Sequence, residues 1–209
     1  MEKQLRKIVD KYKPAFSKGG KFGFLHSTFD AFETFLFVPN TVTRRGSHIR
    51  DANDLKRTMI IVIIALLPAL LFGMYNVGYQ HFAAIADPVS QAMWFKCWWY
   101  GFVRMLPMIL VSYIVGLGIE FAVAQHKGEE VNEGFLVTGL LIPMIMPIDI
   151  PLWILALAVA FSVVFGKEVF GGTGMNVFNP ALLARAFVFF AYTPKISGEQ
   201  VWIRGFSKG

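Results

Sequence analysis

Apolar positions in this chain fall in runs rather than stripes, and the lengths of the runs set the prediction. Residues 59–74 are apolar throughout, Pro68 included, and with the positions up to Val77 they make about the 20 needed for a helix to cross a bilayer. Residues 105–124 form a second run of that kind, whose one charged residue is Glu120. A third, 134–146, is too short to cross and meets Pro143, Pro147 and Pro151, spaced four apart, which marks a broken or half-membrane helix. Residues 153–165 make a fourth run and 181–192 a short fifth. The pattern predicts an all-α polytopic membrane protein with about five transmembrane or half-membrane helices.

Between the last two runs lies Phe170-Gly171-Gly172-Thr173-Gly174-Met175-Asn176-Val177-Phe178-Asn179-Pro180. A bilayer offers no water to bare N–H and C=O groups, so such a stretch must be buried in protein or line a cavity. Two readings stand side by side. Asn179 can cap a helix that Pro180 opens at its first position, after a flexible turn. Alternatively, the carboxamides of Asn176 and Asn179 can converge on one polar heterocycle, offering donors and acceptors together. Two interrupted segments, the third and the fifth, are the usual sign of a midplane site built from half-helices.

Composition agrees with a membrane class: of 209 residues, 55% are hydrophobic and only 16% charged. The charge is lopsided, because residues 1–57 hold 12 of the 20 Lys and Arg but 6 of the 14 Asp and Glu. Basic residues ahead of the first span place the amino terminus in the cytoplasm. The same tract leads into lipid rather than onto a soluble basic face, which argues against nucleic acid as a partner. Residues 1–21 read as a lysine-rich surface helix, and 22–40, rich in Phe, as an amphipathic element that either anchors to the bilayer or covers a hydrophobic substrate. No apolar stretch in the first 20 residues resembles a cleaved signal. The division expected is a basic amino-terminal region over 1–57, a membrane domain over 58–192 and a connecting loop over 193–209.

Cys97, the single cysteine, rules out an intramolecular disulfide or a cysteine-only metal cluster, and His26, His48, His81 and His126 lack the spacing of a helical metal site. Redox chemistry would need an organic cofactor. Trp94, Trp98, Trp99, Tyr100 and Phe102 read as an interfacial aromatic cluster in the loop after the first span. Glu120 is either a glutamate already in interfacial water or, since an acid within a span is costly, part of an ion pathway. Asp149 reads as a loop residue in the outer aqueous phase, Lys167 and Glu168 as a solvated pair, and Arg185 as a snorkelling cation.

Val131-Asn132-Glu133-Gly134-Phe135, Lys167 through Gly174, and Asn176 through Leu182 resemble the B-subunit family of sodium-translocating NADH:quinone reductases. The likeness runs along nearly the whole chain. Gly46 to Arg50 and the first span, with Ala65 to Leu71, are also similar to the related D subunit of Rnf ferredoxin:NAD oxidoreductases. The aromatic stretch from Phe35 to Arg45 fits the B subunits better.

The resemblance implies an inner-membrane subunit, one half of an inverted-repeat helical fold, that relays electrons through flavins to ubiquinone or menaquinone while its complex exports Na⁺. It implies noncovalent riboflavin at Asn176 and Asn179, an ion role for Glu120, and quinone contact near Gly116, where this sequence has Leu117 in place of a second glycine. It also implies an FMN held by phosphodiester to a threonine. Thr173 and Thr193 lack the motif, so that threonine is expected beyond residue 209 and the chain is read as a fragment. NADH would be oxidised on another subunit. A flavin-free transporter for a small neutral solute, and a structural scaffold for redox partners, are the alternatives of other classes.

Overall fold

The computed structural model describes residues 2–16, 29, 46–47, 55–84, 93–127, 134–172 and 174–192, and every regular element among them is helical. The residues read as an amphipathic element, 22–40, lie outside this set except for Phe29, as do 193–209.

Helix α1 is Glu2–Phe16, with Arg6, Lys11 and Lys13 exposed and the Phe16 ring stacked on Phe29 at 4.8 Å. It belongs to a compact unit comprising Met1–Thr58 and Glu120–Asn132; the other unit comprises Met59–Ile119 and Glu133–Gly209.

Helix α2 is Leu55–Ala84 and α3 is Trp94–Lys127, of 30 and 34 residues. Both outrun the apolar stretches that predicted them, since the flanking residues include no proline and polar side chains are tolerated where a helix leaves the hydrocarbon. At 1.5 Å per residue α3 is about 51 Å long, well beyond a hydrocarbon core of about 30 Å. The aromatic cluster expected in a loop is therefore helical: Trp94, Trp98, Trp99, Tyr100 and Phe102 occupy the first turns of α3. Aromatic rings spaced four apart lie above one another on a helix, and Trp98 stacks on Phe102 at 5.3 Å and Phe95 on Trp99 at 6.3 Å.

Helices α2 and α3 meet backbone to backbone. A Cβ on Gly78 would fall on the carbonyl of Cys97, and one on Gly101 would fall on the carbonyl of Met74. Without a hydrophobic force between helices in lipid, such small-residue contacts are what bring spans together.

Helix α4, Phe135–Ile145, has 11 residues, about 16 Å, and cannot cross. It stops at Met146, whose extended backbone (φ −92°, ψ 150°) is what a following proline, here Pro147, imposes. A turn closed by Ile150 N–H to the Pro147 carbonyl at 3.1 Å leads into α5, Leu152–Gly166. A 3-10 turn over Glu168–Phe170 follows, and α6, Pro180–Ala191, has only 12 residues. The segments 58–84, 94–127 and 152–170 are long and apolar enough to span a membrane, while α4 and α6 are apolar and short, as the half-helix reading predicts.

The core of this unit lies where α4, α5 and α6 converge on Phe135, Ile142, Leu155, Val159, Val163 and Val188, with Ala158, Ala181 and Ala184 fully buried among them. A second cluster joins Leu70, Met74, Met105, Leu140 and Met144.

Candidate functional site

Three glycines shape the loop before α6. Gly171, Gly172 and Gly174 have φ of 109°, 96° and 93°, values that side-chain-bearing residues rarely adopt. The turn folds back on the end of α5: Phe170 N–H and Gly172 N–H both donate to the Lys167 carbonyl, at 3.2 and 3.0 Å. Lys167 is 5% exposed, so the expectation of a solvated Lys167–Glu168 pair is corrected for the lysine, while Glu168 is half-buried.

Asn179 is the N-cap. Its Oδ1 accepts from Ala181 N–H at 2.9 Å and from Leu182 N–H at 3.4 Å, and Pro180 opens the helix. Asn176 is engaged at both ends of its carboxamide: Oδ1 accepts from Gly174 N–H at 3.2 Å, and Nδ2 donates to the Phe178 carbonyl at 3.0 Å. Each amide thus serves the backbone of its own loop. What the loop leaves open is the Nδ2 of Asn179 and an apolar surface from Met175, Val177 and Phe178, the last 55% exposed with Phe170 edge-on to it at 6.5 Å. The loop thus presents one amide donor beside an exposed apolar surface.

Gly116 has a ring against it, and the ring is the chain's own. Phe135, 1% exposed, lies on the bare Cα of Gly116, where any Cβ would overlap it. Tyr113, one turn earlier on α3, meets Phe135 edge to face at 6.4 Å and donates its hydroxyl to the Leu136 carbonyl at 2.6 Å, while Gly139 gives room for the Tyr113 ring. A quinone ring reaching Gly116 therefore has to displace Phe135.

Glu120 is 3% exposed on α3, which removes the reading that it stands in interfacial water. Asp149 is exposed in the turn between α4 and α5, as a loop residue should be. Arg185 does not snorkel: its guanidinium donates to the carbonyl of Ile145 at the end of α4. Sequence reasoning missed this contact and the Tyr113–Leu136 bond, because no local pattern signals a side chain that reaches the main chain of another helix.

Long apolar spans interleaved with two short apolar helices, one of them entered through a glycine and amide loop, define a polytopic α-helical membrane protein of the broken-helix type. Residues 42–207 match the NQR2, RnfD, RnfE family, and the chain belongs to that family. It is similar to the B subunit of the Na(+)-translocating NADH-quinone reductase of Pseudomonas aeruginosa, 43% identical over 219 residues covering 95% of this chain and 54% of the relative. The corresponding protein of Chromohalobacter salexigens is 43% identical, with 95% and 53% covered, and that of Azotobacter vinelandii 42%, with 95% and 54% covered. The chain spans about half the length of these curated relatives.

Proposed function

We propose that this chain works in the bacterial inner membrane, amino terminus in the cytoplasm, as part of the B subunit of a Na⁺-pumping NADH:quinone oxidoreductase, joined to the other subunits of that complex. The observation that carries the reading is 43% identity along 95% of the chain to proteins of that name. The D subunit of an Rnf-type complex is the second reading, from the same family, and the names of the relatives favour the first.

In this reading the loop before α6 holds noncovalent riboflavin. Bound there, the flavin would supply a one- or two-electron relay between carriers. Asn176 keeps the glycine turn in shape, Asn179 Nδ2 meets the ring edge, and Phe178 excludes water from its face. The Asn179 cap fixes the start of α6, so the donor is held to a rigid element rather than to a mobile turn. Quinone, ubiquinone or menaquinone, would be reduced near Gly116, with Phe135 as the ring it displaces. Glu120 would offer Na⁺ a carboxylate inside the span, where a buried acid is costly and usually functional.

The test is the flavin content of the detergent-solubilised assembly captured through this chain, separating acid-released riboflavin from flavin that stays on polypeptide, together with Na⁺-stimulated quinone reduction by NADH. Riboflavin release with Na⁺ stimulation supports the reading. An assembly with no flavin returns the chain to the transporter or scaffold class.

A further inference from the structure

Ser112, on α3, is fully buried, and its hydroxyl has no hydrogen-bond partner. A serine inside a helix ordinarily turns its hydroxyl back to the carbonyl four residues earlier, and Ser112 does not. Tyr113, Thr138 and Ser162, by contrast, donate to the carbonyls of Leu136 at 2.6 Å, Gly134 at 3.5 Å and Val159 at 2.9 Å. A hydroxyl buried without a partner costs free energy, and such a group in a folded protein calls for an explanation.

We infer that Ser112 is the hydrogen-bond donor to a carbonyl oxygen of the quinone ring that takes the place of Phe135 on Gly116. The inference rests on the quinone reading of Gly116 proposed above and adds to it the residue that orients the ring.

Position is the first argument. Ser112 stands one turn before Gly116 on α3, and residues four apart share a helix face with about 5–6 Å between their Cβ positions. The rim of the Phe135 ring, at Cζ and Cε1, occupies the place a Cβ on Gly116 would take. Because Cβ atoms lean toward the helix amino terminus, that place lies on the Ser112 side of Gly116. A phenyl ring there offers the hydroxyl only carbon. A quinone ring, also six-membered and flat, fills the same slot and carries on its rim an oxygen that accepts but cannot donate. The Tyr113 hydroxyl is already held by the Leu136 carbonyl, which leaves that oxygen to Ser112.

Phe135 is also placed to give way. It is the first residue of α4, and the N-cap, Gly134, makes no side-chain bond to the helix. The ring can leave by a change confined to the first turn of α4, while the Tyr113 bond keeps hold of the next residue, Leu136. Gly116 on α3 and Gly139 on α4 both border the ring, so at those two points the slot has no Cβ on its walls.

The experiment makes two measurements on the detergent-solubilised assembly captured through this chain: the melting temperature as ubiquinone-1 is added, and KM and kcat for ubiquinone-1 reduction by NADH. Ser112→Ala removes a hydroxyl that has no partner in the quinone-free protein, so its melting temperature without quinone should equal or exceed that of wild type. Its KM for ubiquinone-1, and the Kd read from the thermal shift, should rise about fivefold, the worth of one hydrogen bond. Ser112→Cys, a weaker donor, should fall between the two. Ser162→Ala is the contrast: it removes a hydroxyl that already has its acceptor and should leave KM unchanged. An unchanged KM and Kd in Ser112→Ala, or a lower melting temperature without quinone, would make the hydroxyl a structural group and overturn the inference while the quinone reading stands. A wild-type assembly neither stabilised by ubiquinone-1 nor able to reduce it would overturn that reading, and the inference with it.

Discussion

Arg185 donates through Nη1 to the carbonyl of Ile145, the last residue of α4, 40 positions earlier in the chain. The final carbonyls of a helix have no partner in their own ladder, and the end they form is the negative pole of the helix dipole. In water the solvent would serve them. Within a bilayer a cation from the neighbouring half-helix does so for the last of them, Ile145.

Replacing that cation should weaken the membrane unit. Arg185→Met is expected to cost about 1–3 kcal/mol, the range for stranding a buried polar group, with Arg185→Lys recovering part of the loss. Thermal unfolding in mild detergent, followed by helical circular dichroism, reads both. A methionine variant as stable as wild type would mean that another group caps α4.

Gly116 and Phe135 form a matched pair. Gly116→Ala pushes a methyl into the Phe135 ring and should cost about 1–3 kcal/mol, as overpacking usually does. Phe135→Leu makes space, so the double variant should be more stable than the two single losses add up to. A double-mutant cycle in the same unfolding assay gives the coupling; two losses that simply add would place the strain elsewhere.

Asn179 carries a capping duty and a proposed binding duty, and two substitutions separate them. Asn179→Asp keeps an oxygen for the Ala181 and Leu182 N–H groups but removes the Nδ2 donor, so the fold should persist while released riboflavin falls. Asn179→Ala loses both and should also destabilise by about 0.5–2 kcal/mol. Unchanged flavin content in the aspartate variant would remove Asn179 from the ligand site and leave it as a cap alone.

If Glu120 serves Na⁺, as proposed, its charge is what matters. Glu120→Gln keeps the size of the side chain, so the assembly should form with its flavin content intact, while the Na⁺ concentration for half-maximal quinone reduction rises several-fold. An activation curve that overlays the wild-type curve would make the buried acid a structural group.

Much of this arrangement can be read from the chain itself. The long apolar runs at 59–74 and 105–124 announced spans, and Pro147 foretold the early end of α4 because the residue before a proline is pushed out of the helical region, while Pro143 is accommodated inside the helix. The Asn179–Pro180 pair announced the start of α6, and the structure has that cap. Helix limits were underestimated where residues such as Trp94 to Trp99 suit both an interfacial loop and a helix. Partners at long range escaped altogether. Lys167 looked solvated because burial of a lysine depends on tertiary packing that no local pattern signals, and Arg185 looked like a surface cation because its acceptor lies on another helix. The amides of Asn176 and Asn179 were recognisable as a polar feature in an apolar setting, but that each would be engaged by its own loop depends on φ angles no spacing rule supplies.

Gly78 and Gly101 each press against the main chain of the opposite helix, and two such points fix a line. Sliding or rolling of α2 past α3 would take a bare Cα off its carbonyl, so the two glycines set the register of the pair. If the chain helps to move Na⁺ across the bilayer, as proposed, the motion is to be sought in the short, broken segments beyond this pair.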